Sequence, residues 1–192
     1  MGLEVEPRHL ELMQVPKIHW NATLSQIPAA CPHVKPLGAY CQAMADNLAN
    51  GKGLLLYGEY GMGKSACAAI CLKAALSVCN VLGTWVRASR VAGIEIEKVM
   101  YDPTTSMADR MRFRAPLLVL DEVIISKGGG YSERVIEDIV RCRTDAMLST
   151  VITTNFDLKD FKTLYPAMYA VLTESMTPIP VKGHNFREAK LK

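Results

Sequence analysis

The chain has 192 residues, 49% of them hydrophobic, and a formal net charge of +3, from 22 Lys and Arg against 19 Asp and Glu. That size and apolar content suffice for a full core, and no Ser/Gly/Pro-rich linker or charge block divides the chain, so one domain over 36–192 with an extension over 1–35 is expected. The small charge excludes the bulk electrostatic footprint of a dedicated nucleic-acid binder, and no apolar run approaches the ~20 residues that span a bilayer; with no basic-then-apolar leader either, a cytoplasmic protein is expected.

Residues 1–35 carry Pro7, Pro16, Pro28 and Pro32 with little periodicity and should wrap a surface; 35–50 reads as one amphipathic helix ended by Gly51. An apolar strand over 53–57 then runs into Gly58-Glu59-Tyr60-Gly61-Met62-Gly63-Lys64-Ser65, the pattern G-x-x-x-x-G-K-S. A triphosphate demands backbone N–H groups with no Cβ in the way, which the three glycines supply. Lys64 would reach the β- and γ-phosphates and the Ser65 hydroxyl would ligate Mg²⁺. The helix formers that follow, from Ala66 to Leu76, set this loop at a helix N-terminus, where dipole and free N–H groups favour anions. The candidate nucleotide-binding set is therefore Gly58 to Ala66.

Further strands are expected near 81–87, 115–120 and 149–154, with helices near 64–79, 89–100, 104–112, 132–147 and 157–164, and a short closing strand near 178–182. Alternating strands and helices of this kind make a doubly wound, mainly parallel five-stranded sheet in a three-layer α/β phosphate-loop fold without a substantial C-terminal lid. The run Ala115 to Leu120 ends in Asp121-Glu122, the pattern of a buried parallel strand delivering two acids to the crevice at its carboxyl end. Asp121 would hold Mg²⁺ through water, and Glu122 would orient and deprotonate the attacking water. The next strand, Thr150 to Thr154, is followed by Asn155, which either positions that water or caps the helix beginning near Asp157. A paired acid favours hydrolysis over phosphoryl transfer, so a small-molecule kinase is the weaker reading.

The six cysteines include no C-x-x-C pair, and three of them fall in the helix after the phosphate loop, where small buried hydrophobes fit best. Gly128-Gly129-Gly130 reads as a mobile loop before a helix carrying Arg134, Arg141 and Arg143. That helix either faces a neighbouring subunit or pairs its arginines with Glu133, Glu137 and Asp138.

On these motifs the chain resembles the DnaC/DnaI/IstB group of AAA+ ATPases, replicative helicase loaders and transposition ATPases, over residues 15–188. The resemblance is carried by Val15-Pro16-Lys17 to Ala22-Thr23-Leu24, the loop Gly58 to Ser65, Asp121-Glu122, Thr153-Thr154-Asn155-Phe156 and the ending Val181 to Arg187. It implies ATP and Mg²⁺ as cofactors, a lead-in packed near the adenine, Asn155 as the sensor of the γ-phosphate, and several copies assembled around single-stranded DNA. The implied partner is a replicative hexameric helicase, or a transposase in the IstB-like alternative. The group's arginine finger is expected where Ala170 and Val171 stand here, so turnover should be slow unless Arg134, Arg141, Arg143 or Arg187 substitutes. Loaders also carry a separate N-terminal helicase-gripping domain, whereas about fifty residues precede the phosphate loop here. The resemblance further implies that the helices after the second strand face DNA, which singles out Arg90, Lys98, Arg110 and Arg112; the alternative there is an ordinary solvated helix end.

Overall fold

The computed structural model describes residues 3–91, 93–94, 114–183 and 185. Five strands, β1 (Gly53–Tyr57), β2 (Thr84–Arg87), β3 (Leu117–Val123), β4 (Ser149–Thr154) and β5 (Met176–Pro180), form one sheet in the order β2-β3-β4-β1-β5. Every pairing is parallel. The α/β expectation therefore holds, with the sheet parallel throughout.

Strand periodicity divides the core in two. On one face Leu54, Leu56, Leu117, Val119 and Val151 pack against helix α4 (Lys64–Cys79) and the helices before β1. On the other, Leu55, Leu118, Leu120 and Ile152 meet α5 (Tyr131–Asp145), α6 (Leu158–Leu164) and α7 (Pro166–Ser175). Helix α4 is apolar on nearly every side because it lies between the sheet and the N-terminal segment, so Cys67, Ala68, Cys71, Leu72 and Ala75 are all buried. All six cysteines are free thiols, and burial pushes the Cys67 thiol up to about 12. Among the described residues no helix is long and apolar enough to cross a membrane.

The structure corrects several boundaries. The single helix expected over 35–50 is two, α2 (Val34–Gln42) and α3 (Met44–Ala49), preceded by α1 (Pro7–Leu12). The break falls at Ala43, where the buried Asn47 amide donates to the Tyr40 carbonyl at 2.9 Å and takes over an acceptor at the end of α2. Strand β2 starts at Thr84 because α4 ends in a left-handed cap at Asn80, with the Val81 N–H on the Ala75 carbonyl at 3.2 Å. Helix α7, unforeseen in the sequence, begins with Pro166 in its first turn, where a missing N–H costs nothing. The Pro-rich N-terminal stretch folds as α1 and short 3-10 turns, and Leu10, Met13, Val15 and Ile27 are buried in the α4-side core.

The Gly128–Gly130 segment is tied down rather than loose. Gly128 and Gly129 take φ of +76° and +69°, the Gly128 N–H donates to the Leu164 carbonyl at 3.0 Å, and the Tyr165 ring lies where a Gly129 Cβ would stand. The left-handed turn and this close approach explain why glycine is used.

Candidate nucleotide site

Strand register brings the motifs to one sheet edge. Arg87 pairs with Asp121 and Leu56 with Thr153, so β1, β2, β3 and β4 end side by side at a cleft of about 490 Å³. Its lining runs from the lead-in (Ile18, His19 and 21–23) through Tyr60 to Cys67 to Asp121, Glu122, Thr153, Thr154 and Asn155.

Between β1 and α4, Gly58, Gly61 and Gly63 adopt φ of +139°, +80° and +89°, backbone that L side chains rarely take. A Cβ on Gly58 would also lie 2.5 Å from the Val181 carbonyl oxygen. The sequence pattern and the backbone thus meet in the same requirement, a loop able to turn its N–H groups inward at a helix N-terminus. Lys64 is 8% exposed and its Nζ donates to the Gly58 and Glu59 carbonyls at 2.7 and 2.6 Å, so the ammonium is held along the loop. It also stands 6.0 Å from the centre of the exposed Tyr60 ring.

Ser65 and Asp121, 56 residues apart in sequence, are joined by a 2.8 Å hydrogen bond from Oγ to Oδ1. The same Oδ1 accepts from the Thr153 hydroxyl at 2.7 Å, and Thr153 Oγ1 in turn accepts the Glu122 N–H at 2.9 Å. One hydroxyl and one carboxylate oxygen converging beside a phosphate-binding loop is a donor set that fits Mg²⁺, which favours one or two protein oxygens plus phosphate oxygens. Ser65 and Asp121 would hold the ion, and its chemistry there would be to neutralise developing phosphate charge.

The two acids are separated by a break in the ladder. Pairing between β3 and β4 shifts register between Leu120 and Val123, and Glu122 takes φ of +60°. A bulge next to a site re-aims a side chain. Asp121 stays buried at 2% exposure, while the Glu122 carboxylate swings into the cleft to meet Arg87 Nε at 3.5 Å. Both partners are about half exposed, so this pair is a loose tether.

Asn155 faces the same cleft and does not cap the next helix. Asp157 is the cap of α6, its Oδ1 accepting from the Lys159 and Asp160 N–H groups at 2.7 and 3.0 Å.

Thr153, Arg87, Lys73 and His33 belong to the site architecture without having been singled out for it in the sequence. Thr153 had a readable signal, since it lies two residues before Asn155 on the same strand face. The Lys73 ammonium, on α4, donates to the Trp20 carbonyl at 3.0 Å and to the Ala22 carbonyl, while Trp20 Nε1 reaches the Val15 carbonyl at 2.8 Å. These bonds clamp the lead-in wall of the cleft onto the helix that carries the phosphate loop. Exchanging Lys73 for Met is therefore expected to weaken nucleotide binding about fivefold, roughly 1 kcal/mol; calorimetric titration giving an unchanged Kd would refute the clamp.

The remaining arginines separate by position. Arg143 is 0% exposed and bonded to Thr150 Oγ1, Ala115 O and Ser149 O, so it cannot reach another subunit; the expectation for it is corrected. Arg141 pairs with Glu137 at 2.8 Å, one turn away on α5. Arg134 and Arg90 are exposed. Lys98, Arg110, Arg112 and Arg187 lie outside the described residues. Val171, near the position where an arginine is expected, is buried at 2% beside Met168 and Leu172 in the core under α7.

No protein-family model and no curated protein sequence matches the chain. Among solved structures it is similar to the DnaC helicase loader, with 21% identity, a TM-score of 0.71, and coverage of 87% of this chain and 100% of that one. It is similar to DnaI at 22% identity and a TM-score of 0.71, over 94% of this chain and 100% of that one. The replication initiator DnaA, bound to AMPPCP and single-stranded DNA, matches at 13% identity and a TM-score of 0.68, over 88% of this chain and 54% of that one. With its five-stranded parallel sheet, its phosphate loop between β1 and α4 and no separate lid domain among the described residues, the chain has the P-loop NTPase fold of DnaC and DnaI.

Proposed function

We propose that the protein is a Mg²⁺-dependent, ATP-binding and slowly hydrolysing AAA+ ATPase that assembles on single-stranded DNA and loads or remodels a replicative helicase. The observation that carries the nucleotide reading is the bonded chain Ser65–Asp121–Thr153–Glu122 at the end of the phosphate loop. In it a metal-holding oxygen pair and a cleft-facing carboxylate are positioned by one threonine.

Each residue has a distinct task in this reading. The loop N–H groups from Gly58 to Ala66 bind the triphosphate, with Lys64 supplying the positive charge. Glu122 accepts the proton of the attacking water and Asn155 orients that water. An arginine finger is worth about 10³ to 10⁵ in rate, so the apolar residues at 170 and 171 support slow turnover. Arg134, Arg141 and Arg187 are the candidates for a group acting on a neighbouring subunit's nucleotide.

The helicase and DNA parts of the proposal rest on likeness to a helicase loader and to an initiator bound to AMPPCP and single-stranded DNA. Arg90, at the end of the 3-10 turn after β2, is exposed and suited to a phosphate contact, and Lys98, Arg110 and Arg112 follow it in sequence.

Exchanging Lys64 for Ala is expected to abolish ATP binding, an effect of at least about a hundredfold on Kd for loss of a charge-assisted phosphate contact. Unchanged affinity in that variant would sink the site assignment. For the partner, the test is the mass of the particle formed with ATP and single-stranded DNA, with and without a hexameric helicase. A particle of several copies that captures the helicase supports the loader reading; capture of a transposase and no helicase would favour the transposition-helper alternative.

A further inference from the structure

His33 is a buried polar group that the fold does not satisfy. Its side chain is 2% exposed, yet neither Nδ1 nor Nε2 has a hydrogen-bond partner. Buried polar atoms nearly always find one, and an imidazole left without partners costs stability that an apolar side chain of the same shape would not. The ring nonetheless stands in the wall of the nucleotide cleft, with Ala22, Ile27, Met62 and Ile70 among its companions there. A mostly apolar slot with one unspent polar group is how proteins hold a flat heterocycle and fix its orientation.

The ring's environment also sets which partner it suits. Burial lowers its pKa, so the imidazole is neutral at pH 7, with one nitrogen donating and the other accepting. The Lys182 backbone pulls the other way, as a carbonyl beside a ring N–H does, although the bond is not completed. That carbonyl favours the tautomer with its N–H toward Lys182, leaving the second nitrogen as a bare acceptor.

We propose that His33 reads the base of the bound nucleotide, its free nitrogen accepting from the 6-amino group of adenine and opposing the 6-oxo group of guanine. The inference rests on the ATP-site reading above and adds a residue that chooses the base. Because both nitrogens are covered by neighbouring atoms, engagement requires the ring to turn toward the cleft, so the base should be felt by the imidazole itself.

The test is titration of Mg·ATP and Mg·GTP into the wild-type chain and into His33→Phe and His33→Ala. A site that hydrogen-bonds one base discriminates against another that leaves its polar group opposed, and the ATP-to-GTP affinity ratio is expected to fall about tenfold in both variants. A ratio unchanged from wild type overturns the proposal, even if thermal stability shifts, because a purely structural histidine would alter stability and leave base choice alone. Wild-type protein supplies a second readout that needs no variant. The His33 ring resonances should move on addition of Mg·ATP and less with Mg·GTP, and resonances indifferent to Mg·ATP reject the role. Failure of wild-type protein to bind either triphosphate would instead reject the nucleotide site as a whole, and His33's role with it.

Discussion

Replacement of Glu122 by Gln is expected to cut ATP turnover by about 10² to 10⁴-fold, the usual worth of a positioned general base, or roughly 3–5 kcal/mol of barrier. ATP affinity should hardly change, because Glu122 lies on the cleft side of the bulge and takes no part in the Ser65–Asp121 bond. The exchange is nearly isosteric and keeps the backbone N–H that bonds Thr153 at 2.9 Å, so the +60° backbone and the placement of Asp121 are retained. Loss of the Arg87 contact costs little, since both side chains are about half exposed. Single-turnover phosphate release and nucleotide titration on the same preparation separate the two effects. If turnover stayed at the wild-type rate while binding held, the base would have to be another group, and the roles of the adjacent acids would need reassignment.

A large loss of stability is expected from Arg143→Met, at a residue far from the chemistry. The guanidinium is fully enclosed, donating to Thr150 Oγ1 at 2.9 Å, Ala115 O at 2.8 Å and Ser149 O at 2.7 Å. It joins the end of α5 to the entries of β3 and β4. Methionine fills much of the volume but leaves these acceptors buried and unmade, a penalty of about 3 kcal/mol for the group. For a chain of this size that lowers Tm by roughly 6–12 °C. Thermal unfolding followed by circular dichroism reads the shift directly, and a Tm within about a degree of wild type would show the network to be dispensable. At low temperature the variant should bind ATP normally, because Ala115, Ser149 and Thr150 lie at the opposite end of the strands from the cleft.

The phosphate loop, the acids and the strand carrying Asn155 were legible in the sequence because each is a local pattern whose chemistry fixes its geometry. Glycines at 58, 61 and 63 have a backbone reason, and an apolar run ending in Asp121-Glu122 has one destination in a parallel sheet. Helix division at Ala43 and the start of α7 were hidden, since an Asn47 side chain on the Tyr40 carbonyl and a proline admitted at a helix start are decided by packing rather than periodicity. Arg143 shows the same limit sharply. Its spacing on α5 suggested a surface group shared with Arg134 and Arg141, but the helix turns it inward onto the sheet.

By itself, then, the amino-acid order determined a triphosphate loop, two acids with separable tasks and an alternating strand–helix chain, because those depend on residue types within short windows. Only the tertiary structure decided that Thr153 links Asp121 to Glu122, that Arg87 faces the second acid, that Lys73 clamps the lead-in to α4, and that His33 lies unsatisfied in the cleft wall. The physical reason is distance along the chain. Bonds joining residues 31 and 32 apart, as Thr153 is from Glu122 and Asp121, are set by strand register and a bulge, and register is a property of the packed sheet.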